Sequence, residues 1–155
     1  MAALFPFTPD EASTVLRALK TVAMADGTFA TKEQALLAAA AELLGVDASP
    51  EAVSTVAPED LAAALPDPER RLIALKACLV MGIVDGQISP EEWRVLSSFR
   101  AAFDVDEADM QVFHDLVQQH RQRTQYEIQR RLGAPQTGTL YATQGWQGVL
   151  NFFTA

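Results

Sequence analysis

The dipeptide Asp26-Gly27 returns as Asp85-Gly86, 59 positions later, and this offset constrains the fold more tightly than any other feature of the chain. At the same spacing and without gaps, Leu16 matches Leu75, Ala18 matches Ala77, Glu33 matches Glu92, Leu37 matches Leu96, and Val46-Asp47 matches Val105-Asp106. Arg17 with Lys76, Phe29 with Ile88, Leu36 with Val95, and Leu44 with Phe103 are conservative pairs. Apolar periodicity and turn chemistry recur together, which helical composition alone does not produce. Residues 12–47 and 71–106 are therefore expected to be two copies of one helix–turn–helix hairpin, stacked about a pseudo-two-fold axis.

Helix-start signals support this reading. Thr8-Pro9-Asp10-Glu11, Ser49-Pro50-Glu51, Asp67-Pro68-Glu69 and Ser89-Pro90-Glu91-Glu92 each put a capping oxygen before a proline suited to the first helical turn. Thr8 with Glu11 and Ser89 with Glu92 have the spacing of capping boxes. Apolar residues such as Leu36, Leu37, Ala40, Leu43 and Leu44 follow helical spacing, and nothing before about residue 133 alternates like a strand. The pattern predicts helices over 9–25, 31–44, 50–56, 58–65, 68–84, 90–103 and 107–131, an all-α, single-domain bundle of about seven helices. From Gly133 the helical period breaks, yet Trp146, Phe152 and Phe153 are too apolar for a solvated tail. Residues 134–155 are expected to dock on the bundle, or on a second copy in a homodimer.

The balance of 20 acidic against 12 basic residues gives a formal charge of −8, which repels a phosphate backbone and argues against nucleic-acid binding. The longest mainly apolar run, Leu72 to Val84, is shorter than the roughly 20 residues a bilayer crossing needs. It reads as a central buried helix, so no direct membrane insertion is expected. Met1 to Pro9 lack the features of a secretory signal, and a cytoplasmic location is the expectation. The only cysteine, Cys78, falls inside the buried helix, where packing rather than thiol chemistry is its role.

In each copy a helix ends in Asp-Gly, a short bridge carries an apolar residue, and a second helix has Glu in its first turn. The glycine supplies the left-handed conformation that closes a helix. Phe29 and Ile88 are expected to plug inward and set the hairpin angle. Asp26 and Glu33 then flank one tight turn, and Asp85 and Glu92 flank the other, an arrangement in which two carboxylates can face one cation. The spacing is that of the second half of an EF-hand loop. The two earlier acidic ligand positions hold Val22 and Met24 in one copy, and Met81 and Ile83 in the other, so only a half-site remains. With no His or Cys beside the turns, calcium, magnesium or manganese is favoured over softer metals. The same residues also have a purely structural reading, with the glutamates as first-turn caps and Asp-Gly as ordinary turn chemistry.

With its paired Asp-Gly turns, the Glu seven residues after each Asp and the apolar helices around them, the chain resembles the TerB-like family over about residues 10–120. The resemblance implies a compact all-helical protein of bacterial tellurite resistance and related stress responses. It further implies work in membrane-associated complexes with protein partners, and acidic turn residues that bind a divalent cation. Carried onto this chain, the metal residues are Asp26, Glu33, Asp85 and Glu92. Thr28 and Gln87 stand where a third acidic group would strengthen each site.

Enzymatic readings have little to stand on. His114 and His120 are six apart, a spacing that does not align them on one helical face. Asp115 follows His114 directly and is expected to project elsewhere. No phosphate loop, nucleophile elbow or zinc motif is present in the sequence. The expectation is a non-catalytic protein without an organic cofactor, binding a cation or partner proteins through its acidic turns. The alternative is a helical adaptor whose turns are purely structural.

Overall fold

The computed structural model describes residues 7–83, 88–116 and 118–119. Among the described residues the chain runs through α1 (Pro9–Ala23), α2 (Thr31–Leu44), α3 (Pro58–Ala64), α4 (Pro68–Ile83) and α5 (Pro90–Ala102). A 3₁₀ turn spans Pro50–Ala52, residues 107–116 are again helical, and no strand occurs among the described residues. The all-helical expectation holds. The aromatic segment 134–155 lies outside the described residues.

Local chemistry sets the helix starts. At α1, Thr8 Oγ1 accepts from the Glu11 N–H at 3.2 Å, while Glu11 Oε1 accepts from the Thr8 N–H at 2.8 Å. At α5 the reciprocal pair is Ser89 and Glu92, at 3.1 and 2.9 Å. Proline occupies the start of α1, α3, α4 and α5, where its missing N–H costs no intrahelical bond.

The helix starts keep the sequence offset, with α1 and α4 beginning at 9 and 68 and α2 and α5 at 31 and 90. The closing turns keep it too. After α2, Gly45 adopts φ 73° and the Val46 N–H reaches back to the Ala41 carbonyl at 2.9 Å. After α5, Asp104 adopts φ 57° and the Val105 N–H reaches the Arg100 carbonyl at 3.1 Å. Both are Schellman closures, and the second uses a residue that pays a steric penalty glycine avoids.

One core runs through the bundle. α1 packs on α4, α2 and α3, and α5 packs on α3 and α4. Leu16, Leu19, Leu36, Leu37, Leu75, Leu79, Met81 and Phe99 are fully buried. Truncating a side chain such as Phe99 to Ala in a core of this kind costs about 3–5 kcal/mol. Cys78 sits in this core, and burial pushes its thiol pKa up, out of the reactive range. Charge also ties α1 to α4: Arg70 Nη1 meets Glu11 Oε1 at 2.8 Å.

One expected helix is replaced by another structure. Ser49-Pro50-Glu51 predicts a helix over 50–56, but only the Pro50–Ala52 turn forms and Val53 is already extended. The backbone groups of this stretch are taken by side chains of α1. Lys20 Nζ donates to the Pro50 carbonyl, Arg17 Nη2 to the Thr55 carbonyl at 2.7 Å, and the Val56 N–H donates to Thr21 Oγ1 at 2.9 Å. Residues 49–57 form a strap across α1, with its Pro50–Ala52 turn also against α2, and Val56 is its one buried residue.

Candidate functional site

The first Asp-Gly turn is built by the end of α1. Met24 N–H still bonds to the Lys20 carbonyl, Gly27 N–H to the Met24 carbonyl at 3.0 Å, and Gly27 takes φ 85°. A side chain at that φ would be strained, so the glycine is what lets the chain reverse. Phe29 is partly buried against the core, as expected, and so is Ile88 at the matching position. The Phe29 ring also carries the Lys20 ammonium 4.1 Å from its centroid. Lys20 is 7% exposed, which makes a lysine the floor under the acidic turn.

Asp26 is exposed and ordered. Its Oδ1 accepts from both the backbone N–H of Thr28, at 3.0 Å, and the Thr28 hydroxyl, at 2.9 Å. The backbone bond is the main reason its carboxyl is held below the usual aspartate range, with the Thr28 hydroxyl second. Thr28, at a position where an acid would strengthen a cation site, acts here as a donor that fixes Asp26.

Glu33 and Glu92 are placed differently. Glu33 is 3% exposed and its Oε1 accepts from the Ala30 N–H at 3.0 Å, while Glu92 is 7% exposed and accepts from the Ser89 N–H. Each caps the first turn of its helix. For Glu92 the sequence announces this through Ser89. For Glu33 it does not, because the Ala30 methyl offers no acceptor to complete a box, and the Glu supplies its half alone. Asp85 lies outside the described residues. Among the described residues no group of three or more His, Cys, Asp or Glu side chains is arranged to hold a metal ion.

Sequence reasoning missed two features. His114 Nδ1 lies 3.2 Å from Asp115 Oδ1, so these neighbours do meet, because both side chains bend toward Gln111, whose Nε2 is 3.1 Å from the same carboxylate oxygen. The imidazole also meets Trp93 of α5 edge to face, with centroids 5.6 Å apart. The Asp115 side chain is 65% exposed, so water screens this pair. His120 lies outside the described residues. The second missed feature is the polar stripe of Arg17, Lys20 and Thr21, which holds the strap.

No helix among the described residues is long and apolar enough to cross a membrane. A family model described as Tellurite resistance protein TerB matches residues 3–53. No curated protein and no solved structure matches the chain. The matched span is narrower than the 10–120 of the sequence resemblance, and it holds α1, the Asp26 turn, α2 and the first part of the strap. Over that span, and there alone, the chain is similar to the TerB family.

Proposed function

We propose that the chain is a non-catalytic binding module of the tellurite-resistance and stress-response class, which engages protein partners through the exposed acidic turn at Asp26. The observation that carries this reading is the division of labour among the turn carboxylates. Glu33 and Glu92 are buried and cap helices, whereas Asp26 is exposed, fixed by Thr28 and kept ionised. A charge presented in one orientation on a rigid turn suits recognition of a basic partner surface, because the ordering cost is met in folding. A membrane-associated complex of such partners, as the resemblance implies, is compatible with described helices that are not long and apolar enough to cross a bilayer.

A second reading has one observation in its favour. An ionised, exposed Asp26 is a good ligand for calcium, magnesium or manganese, and Asp85 occupies the matching position of the sequence repeat. The capping bonds of Glu33 and Glu92 weigh against it, since each removes a carboxylate oxygen from such a site.

Survival on tellurite tests the proposal in a bacterial strain sensitised by loss of this chain. Wild type and Glu33→Gln, which retains a capping oxygen, should protect, and Asp26→Asn should not, although its melting temperature stays within about 2 °C of wild type. Full protection by Asp26→Asn, or none by wild type, overturns the reading.

A further inference from the structure

We propose that the strap 49–57 opens from α1 as one local unit, uncovering Lys20 and the Phe29 side of the acidic turn while the helices stay folded. Three observations on this segment converge. First, it contributes little to the core: of residues 49–57 only Val56 is buried, and Ser49, Glu51, Ala52, Ser54, Thr55 and Ala57 are exposed. A segment with few buried apolar contacts belongs to the low-stability end of a fold.

Second, side chains from one face of α1, at spacings of three and four residues, tie it down. Arg17 holds the Thr55 carbonyl, Lys20 the Pro50 carbonyl, and Thr21 the Val56 N–H. The Ala52 N–H bonds only within the segment, to the Ser49 carbonyl. All of these α1 ties can be released without disturbing a helical hydrogen bond.

Third, the closed state leaves one ammonium and one guanidinium nitrogen poorly solvated. The Lys20 ammonium has one carbonyl and one aromatic face, and no carboxylate among the described residues pairs with it. Arg17 Nε is buried with no acceptor. A buried donor without its full set of partners is costly, and opening the strap hydrates both groups. The gain opposes the loss of the ties and of Val56 burial, which brings the open state within reach of the closed one. The strap is also linked to the turn. Lys20 bridges Pro50 of the strap and Phe29, three residues after Asp26, so release of the Pro50 carbonyl changes what supports the turn from below.

Amide hydrogen exchange on the full chain, followed by NMR, tests this inference independently of any ligand. The reporter is the Val56 N–H, compared with those of Leu19 and Leu75 inside buried helices. Val56 should exchange at least roughly tenfold faster than both, with a weaker urea dependence, because local opening exposes less surface than global unfolding. Lys20→Met keeps the apolar stem against Phe29 and removes the Pro50 tie, and should accelerate Val56 relative to Leu75. If that variant does not fold, Arg17→Met removes the Thr55 tie for the same comparison. In wild type, acylation of Lys20 by an amine-reactive probe should outpace global unfolding. Exchange of Val56 in step with Leu75 at an equal urea slope, or Lys20 labelling only at the rate of global unfolding, overturns the proposal.

Discussion

Glu11 is the residue at which local helix chemistry and the joining of α1 to α4 meet, and replacing it separates their contributions. Its side chain is 8% exposed, and one oxygen, Oε1, accepts from both the Thr8 N–H and Arg70 Nη1 at 2.8 Å. Glu11→Gln retains an oxygen for the capping box and loses the charge facing Arg70. The Arg70 side chain is 35% exposed and has Asp67 at 3.5 Å as a second partner, so solvent and Asp67 offset part of the loss. The change should cost about 1 kcal/mol. Glu11→Ala removes the capping bond as well, for about 2 kcal/mol in total. At roughly 4 °C per kcal/mol for a domain of this size, the melting temperature should fall by about 4 °C and 8 °C. Arg70→Met combined with Glu11→Gln should lose less than the sum of the single changes, by about 1 kcal/mol. The Thr8 N–H, more than Arg70, holds the Glu11 carboxyl below the usual range. The folded state thus favours the ionised form, so this stabilisation is complete above the ordinary glutamate range and fades as pH falls through the lowered folded pKa. Thermal melts from pH 7 to pH 3 should show the gap between wild type and Glu11→Gln narrowing at the acid end. Equal losses for Gln and Ala, or strict additivity with Arg70→Met, would refute this partition.

The two Schellman closures make a matched pair of tests. Asp104→Gly should stabilise by up to about 1 kcal/mol in urea titrations because it relieves a left-handed aspartate, whereas Gly45→Ala should destabilise by about 1 kcal/mol. Cys78 should resist a thiol-reactive probe in the native chain and react once urea unfolds it, since both burial and a raised pKa protect it; fast native labelling would show the core to be open there.

Much of the helical frame is legible in the sequence because its signals are local. Thr8 with Glu11, Ser89 with Glu92 and the prolines at 9, 58, 68 and 90 mark starts that need no tertiary partner to be effective. The predicted ends were a residue or two long where fraying decides them, as at Ala23 against a predicted 25. The strap is different in kind. Ser49-Pro50-Glu51 is a genuine start signal, but the groups that stop the helix, Arg17, Lys20 and Thr21, lie about 30 or more residues upstream and become its partners only when the chain folds. The same limit applies to the site. Aspartate, glycine and glutamate at fixed spacing announce the turns, yet only the fold separates a capping carboxylate from a presented one, as it does for Glu33 and Asp26. No local pattern marks Lys20 as buried, since its partners are a carbonyl and a ring from two other segments.

The sharpest test of the structural role given to the turn glutamates, and of Asp26 as a surface for partners, is thermal melting with and without metal. Wild type and the Asp26→Asn, Asp85→Asn double variant would each be melted in chelator and in millimolar calcium, magnesium or manganese. A ligand that binds only the native state raises its stability by mass action, and asparagine keeps the turn while removing the charge. The account predicts that both proteins melt at nearly the same temperature in every condition. A rise of several degrees in wild type with any of these ions, absent from the double variant, would contradict it and place a cation between the turns.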